Sequence, residues 1–91
     1  MERITKTHLQ RLARRLNVMT KSPTEYKTGD RINVGHWHIS CAYGGFSLVR
    51  TANESGGESQ PMGHAGHTPA RDLYERMHAF IRGIEFAREG A

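Results

Sequence analysis

The sequence is short of cysteine and of long apolar runs. Cys41 is the one cysteine in 91 residues, so the chain holds no internal disulfide, which is typical of proteins in a reducing cytoplasm. No stretch is apolar over the length that a membrane-spanning helix or a signal peptide needs. We therefore expect one cytoplasmic domain over residues 1–91, with a single core and no membrane contact.

Acidic residues are also too few for a protein that imitates nucleic acid. The chain has 13 basic and 9 acidic residues, which gives a net charge of +4. The excess is local, since residues 1–21 hold six basic residues against Glu2 and therefore carry +5. This layout favours a partner with an acidic or phosphate-bearing surface.

Residues 33–52 predict a β-hairpin around which the chain is organised. Gly44 and Gly45 are expected to form its two-residue turn, because glycine tolerates the positive φ angles of tight hairpins. The strands then alternate between an apolar face, where we expect Cys41 to be a buried thiol, and a polar face. The pairs set by this turn are Tyr43 with Phe46, Cys41 with Leu48, Ile39 with Arg50, and Trp37 with Ala52.

The polar face of the hairpin is one candidate partner-binding surface. Solvation, or coverage by a second copy of the chain in a homodimer, are the alternatives for this face. Its candidate binding residues are His36, His38, Ser40, Ser47 and Thr51.

The histidines on this face raise the hypothesis of a zinc site, but their spacing in the sequence does not support one. His36 and His38 share a strand face, and His64 and His67 lie in a glycine-rich loop. Their spacing matches no structural zinc pattern, and alternation places Cys41 on the opposite face from His36 and His38. We therefore predict no metal and no cofactor.

Residues 4–19 predict a helix whose exposed side is basic. Leu9, Leu12, Leu16 and Met19 recur at helical spacing and form an apolar stripe. Thr5 is the preferred N-cap, and Thr7 is the alternative. The second candidate partner-binding surface is the basic stripe, which consists of Arg11, Arg14, Arg15 and Lys21; a simply solvated helix face is the alternative.

The remaining segments complete an α+β fold. Residues 25–27 are expected to pair briefly with 31–33, and the Gly/Ser-rich stretch 53–67 is either a loop or holds a third strand near 58–62. Thr68 and Pro69 begin a second helix that ends near Arg88, before Gly90. The predicted architecture is two helices packed on one face of a small antiparallel sheet, in the order helix, β-hairpin with or without a third strand, helix.

No catalytic set accompanies this fold. Cys41 has no base on its own face, and the carboxylates lie in separate turns or at a helix start. The sequence therefore predicts a protein that is not an enzyme.

A family resemblance covers nearly the whole chain. The segments KSPTEY, NVGHWHIS-x-AYGGFSLVR, NESGG and GHTPARDLYERMHAFIRGIE resemble a group of small phage- and prophage-encoded proteins. This resemblance implies an accessory protein that acts in the cytoplasm of the host cell, as anti-CRISPR and other anti-defence proteins do.

Two functional hypotheses follow. The first is a non-enzymatic inhibitor that binds a host protein or ribonucleoprotein complex, foremost CRISPR–Cas, and blocks it sterically. The second is a small basic protein that binds or regulates nucleic acid.

Overall fold

The computed structural model describes residues 3–61 and 67–89. Three strands form an antiparallel sheet in the order β3-β4-β5, and β1 and β2 form a separate two-stranded sheet. The predicted α+β architecture is confirmed, with a short third strand. The elements are α1 (Lys6–Met19), β1 (Lys27–Thr28), β2 (Arg31–Ile32), β3 (Trp37–Ala42), β4 (Gly45–Thr51), β5 (Glu58–Ser59) and α2 (Ala70–Glu89).

Helix α1 begins after Thr5, as its sequence predicts. The Thr5 backbone N–H donates to Nδ1 of His8 at 3.0 Å, which closes a capping box. The predicted apolar stripe is buried, and Leu9 and Leu16 are fully enclosed. One polar residue, Asn17, lies within this stripe and is only 2% exposed.

Helix α2 starts at Ala70, one residue after Pro69, which was predicted as its first helical residue. Leu73, Met77 and Ile81 are its buried residues. Together with α1 they cover the apolar face of the hairpin, where Trp37 and Leu48 complete the core. The predicted stop at Gly90 and the predicted strand end at Met62 lie outside the described residues. Within 3–61 and 67–89, no helix combines the length and hydrophobicity that crossing a bilayer requires.

The predicted hairpin register is wrong, because the turn lies one residue earlier in the chain than predicted. Tyr43 and Gly44 form the two-residue turn, with φ angles of 53° and 75°, and Ala42 pairs with Gly45. Gly45 is needed for another reason, because a Cβ there would lie 3.0 Å from the His67 carbonyl carbon. Moving the turn by one residue shifts each pairing by two, so the division into two faces is retained.

The expected burial of Cys41 is also wrong. Cys41 lies on the helix-facing side of β3, opposite Phe46, yet the side chain is exposed. The core is centred further along β3, at Trp37 and Leu48, so the helices leave the turn end of the hairpin uncovered.

A side-chain amide joins α1 to the sheet. Asn17 lies beside the outer edge of β3, where its Oδ1 accepts the Trp37 backbone N–H at 2.8 Å and its Nδ2 donates to the Trp37 carbonyl at 3.0 Å. The Trp37 indole N–H donates to the Thr20 hydroxyl at 3.2 Å. Its ring packs against Phe80 of α2, with the ring centroids 5.7 Å apart. Trp37 is therefore held by both helices.

Replacing Asn17 with alanine should destabilise the fold by about 2–6 kcal/mol, because two buried backbone groups lose their partners at about 1–3 kcal/mol each. Urea unfolding measures this free energy. Gln10→Ala, an exposed position on the same helix, is the control and should change stability by less than about 0.5 kcal/mol. Equal stabilities for the two variants would contradict the assigned role of Asn17.

Candidate binding cleft at the open edge of the sheet

Strand β3 is an outer strand, and part of its edge is unpaired. Trp37 directs its N–H and C=O away from β4, toward Asn17, whereas the His36 carbonyl accepts the Thr51 N–H on the β4 side. Alternation then directs the backbone groups of Ile39 and Cys41 outward as well. Within 3–61 and 67–89 these groups have no hydrogen-bond partner. The outer edge of β3 is therefore occupied by Asn17 at Trp37 and is unpaired at Ile39 and Cys41.

A cleft of about 380 Å³ runs along this edge. Helix α1 forms one wall, and the connector between α1 and β1 forms the other. Arg14 stands on the α1 wall and Glu25 on the connector wall, so the two sides carry opposite charge. The lining consists of Gln10, Ala13, Arg14 and Asn17 from α1, Thr24 and Glu25 from the connector, and residues 36–39.

Three rings meet on the face of the sheet opposite the helices. The Tyr26 ring lies edge-on to His36 and His38, at centroid distances of 6.1 and 5.4 Å, and the two imidazoles are 5.4 Å apart. The His36 Nδ1 is 2.8 Å from the Pro23 carbonyl, so this nitrogen carries the proton and donates it. The Asn17 amide nitrogen, 3.4 Å from the same Nδ1, is therefore only in contact with it.

A side-chain hydrogen bond crosses the back of the central strand. Nε2 of His38 on β3 is 2.8 Å from a Glu58 carboxylate oxygen on β5, and β4 lies between these strands. Beneath this pair, Nδ1 of His38 and the Thr51 hydroxyl are buried without a partner among the described residues. Both side chains of the pair keep some exposure, so its contribution to stability is small.

The predicted polar face is less accessible than its sequence indicates. His36, Ser47 and Thr51 are buried, at 8%, 6% and 2% exposure. His38 and Ser40 are half-buried, and Oγ of Ser40 is 3.2 Å from Nε2 of His67. Tyr26 and His67 come from the flanking segments and lie over this face, which removes most of it from a partner's reach.

The predicted basic stripe divides into two parts. The Arg15 guanidinium is 2.5 Å from the Glu85 carboxylate of α2, so it connects the helices. Arg11, Arg14 and Lys21 are exposed and have no carboxylate partner in the described segments. Of these, Arg14 also lines the cleft. One of the three free positive charges of the stripe therefore lies at the cleft.

The histidines do not come together as a metal site where the structure describes them. No group of three or more His, Cys, Asp or Glu side chains has a metal-binding arrangement there. His67 lies beside Ser40 and Tyr43, toward the turn, whereas His36 lies at the opposite end of β3. His64 is outside the described residues.

Asn17, Tyr26 and Glu58 form part of this region, although sequence reasoning did not select them. Asn17 had a signal, since it is a polar residue at an apolar-stripe position of α1, one turn after Ala13. Tyr26 and Glu58 had none, because their contacts with His38 span 12 and 20 residues of chain.

Comparison with known proteins identifies no relative of the chain. No protein-family model, curated protein sequence or solved structure matches the chain significantly.

Amide exchange should distinguish the closed and open parts of the edge. We expect the Ile39 and Cys41 amides to exchange about two orders of magnitude faster than those of Trp37, His38 and Ser40, because only the latter three donate hydrogen bonds. Hydrogen–deuterium exchange followed by NMR measures this directly. In Asn17→Ala, the Trp37 amide alone should join the fast group. Equal protection along all of β3 would show that the edge is covered.

Proposed function

We propose that the protein is a non-enzymatic binding protein that a phage or prophage directs against a host defence complex. CRISPR–Cas is the foremost target, and the block is steric. The observation that carries this proposal is an unneutralised arginine, Arg14, beside the unpaired strand edge at Ile39 in one cleft. Arg11 on the same helix adds to the charge, and Cys41 continues the edge beyond the cleft.

The charge supports an anionic partner surface. Arg15 is neutralised by Glu85 within the fold, but Arg11 and Arg14 on the same helix are not. Ionic groups left exposed on one side of a small domain speed up association with an oppositely charged surface. A protein subunit with an acidic patch and the RNA-containing channel of a ribonucleoprotein both present such a surface.

An exposed apolar side chain beside the arginines of α1 also supports binding through this face of the helix. Val18 is 65% exposed and lies on the outer face of α1 with Arg11 and Arg14, where helical spacing places all three together. An apolar side chain with charged neighbours is the usual composition of a protein interface, with its dry centre and polar rim. This arrangement favours a protein surface over bare nucleic acid.

Charge reversal on α1 should abolish inhibition. The double variant Arg11→Glu/Arg14→Glu replaces attraction by repulsion, so it should fail to restore plaque formation by a targeted phage on a CRISPR-immune host, where the parent protein restores it. A tagged parent protein should recover Cas subunits from that host, identified by mass spectrometry. The matched control is Arg76→Glu/Arg82→Glu on the outer face of α2, which makes the same change in net charge and should retain both activities.

Recovery of nucleic acid without any protein subunit would refute the inhibitor proposal. Equal loss of activity in the α1 and α2 variants would refute the assignment of the surface.

The second candidate function is nucleic-acid binding, favoured by the same unpaired arginines. If Arg11, Arg14 and Lys21 each contact one phosphate, a threefold rise in salt concentration should weaken nucleic-acid binding about 20-fold. A mobility-shift titration at two salt concentrations measures this, with the α1 double variant as the negative control. No shift at low salt would leave the protein-directed function in place.

A further inference from the structure

We infer that the cleft takes an extended acidic segment of a partner protein, which adds to the open edge of β3 as a fourth strand. This inference rests on the proposed function, because it specifies how the partner is held. Three observations carry it: the unpaired edge, the two walls, and the charge of the α1 wall.

The edge offers a defined set of backbone bonds. Ile39 and Cys41 each direct one N–H and one C=O outward, and Asn17 ends the free edge by occupying those of Trp37. An added strand would therefore form four hydrogen bonds with residues 39–41. Main-chain bonds of this kind supply affinity without a particular sequence in the peptide.

The walls supply selectivity. Side chains of an added strand alternate between the two faces of the sheet. Those on the helix side reach Gln10 and Arg14, and those on the other side reach Thr24 and Glu25. Because Arg14 has no carboxylate partner in the described part of the chain, acidic side chains fit the helix side. Glu25 favours neutral or basic side chains on the other.

A second copy of the chain fits this edge less well. Antiparallel pairing of β3 with its own copy has a two-fold axis perpendicular to the sheet, which keeps both α1 helices on one face of the joined sheet. The two α1 walls would then flank the same seam, and Arg14 of each copy would face like charge. Like charges brought together at an interface oppose association.

The test uses the isotope-labelled full chain and a blocked peptide that alternates glutamate with valine. The amides of Ile39 and Cys41 should shift in NMR spectra and become protected from exchange, with smaller shifts at Gln10 and Arg14. A peptide with lysine in place of glutamate should bind at least about fivefold more weakly, and Arg14→Glu should lower the affinity for the glutamate peptide to a similar degree.

Half-methylated peptides test the strand geometry. A strand pairs through one edge, so a peptide with N-methyl groups on the valines and another with N-methyl groups on the glutamates should differ, and only one should retain binding. Binding of both peptides, or of neither, would contradict strand addition.

Cys41→Pro tests the edge from the protein's side. The Cys41 N–H points away from β4, a position where an edge strand tolerates proline, so the variant should keep its fold by circular dichroism and lose peptide binding. Cys41→Ser is the matched control and should bind as the parent does.

A folded Cys41→Pro variant that still binds, or an absence of shifts at millimolar glutamate peptide, would overturn the inference. Concentration-dependent shifts at Ile39 and Cys41 without peptide would also overturn it, since they would assign the edge to a second copy.

The two proposals fail separately. If Cys41→Pro still recovers the host complex while Arg11→Glu/Arg14→Glu does not, strand addition is wrong and the proposed function stands. If the peptide binds as described but no host complex is recovered, the cleft has its ligand class and the proposed function is wrong.

Discussion

The pairing of the Asn17 amide with the Trp37 backbone is the contact on which the arrangement of the molecule depends. An amide side chain has one acceptor and one donor group, so it reproduces both bonds of a neighbouring strand. Asn17 is only 2% exposed, so in the folded protein its amide, rather than water, satisfies these two backbone groups. The Trp37 indole is thereby fixed between Thr20 and Phe80, and the Arg50 guanidinium stacks over it at 4.8 Å. One amide thus aligns both helices with the sheet.

The same contact divides β3 into two halves. Toward Trp37 the strand belongs to the core, and toward Cys41 it is an exposed edge beside a charged helix. Proteins usually protect such an edge with charge, proline or a covering segment, because a free edge pairs readily with other chains. Arg14 at the cleft is one such protection, since it repels basic surfaces and another copy of the chain, but it does not repel an acidic segment. Under the proposed strand addition, selection of a partner by charge follows from the position of Arg14 beside this edge.

The sequence predicted those features that depend on periodicity and failed at those that depend on packing between distant segments. Helical spacing gave both apolar stripes, and alternation gave the two hairpin faces even though the register was displaced. The register was displaced because Tyr43, rather than Gly45, shares the turn with Gly44. Gly45 instead lies in β4 against the backbone of His67, a contact that no local pattern reveals. The polar face looked accessible because Tyr26 and His67, which lie over it, come from connectors. Cys41 was expected in the core because alternation identifies a face but not how far the helices extend along it.

Tyr43 illustrates what folding alone does not explain. It occupies the first turn position with φ of 53°, where a bulky residue costs on the order of 1 kcal/mol relative to glycine or asparagine. Its side chain is fully exposed, and its ring centroid lies 6.2 Å from that of His67, so the described residues bury little of it to compensate that cost. The hairpin tip is therefore conformationally strained while presenting an aromatic side chain to solvent. A tyrosine side chain has only two χ angles and so loses little entropy when a contact immobilises it, which makes such a tip suited to serve as an anchor.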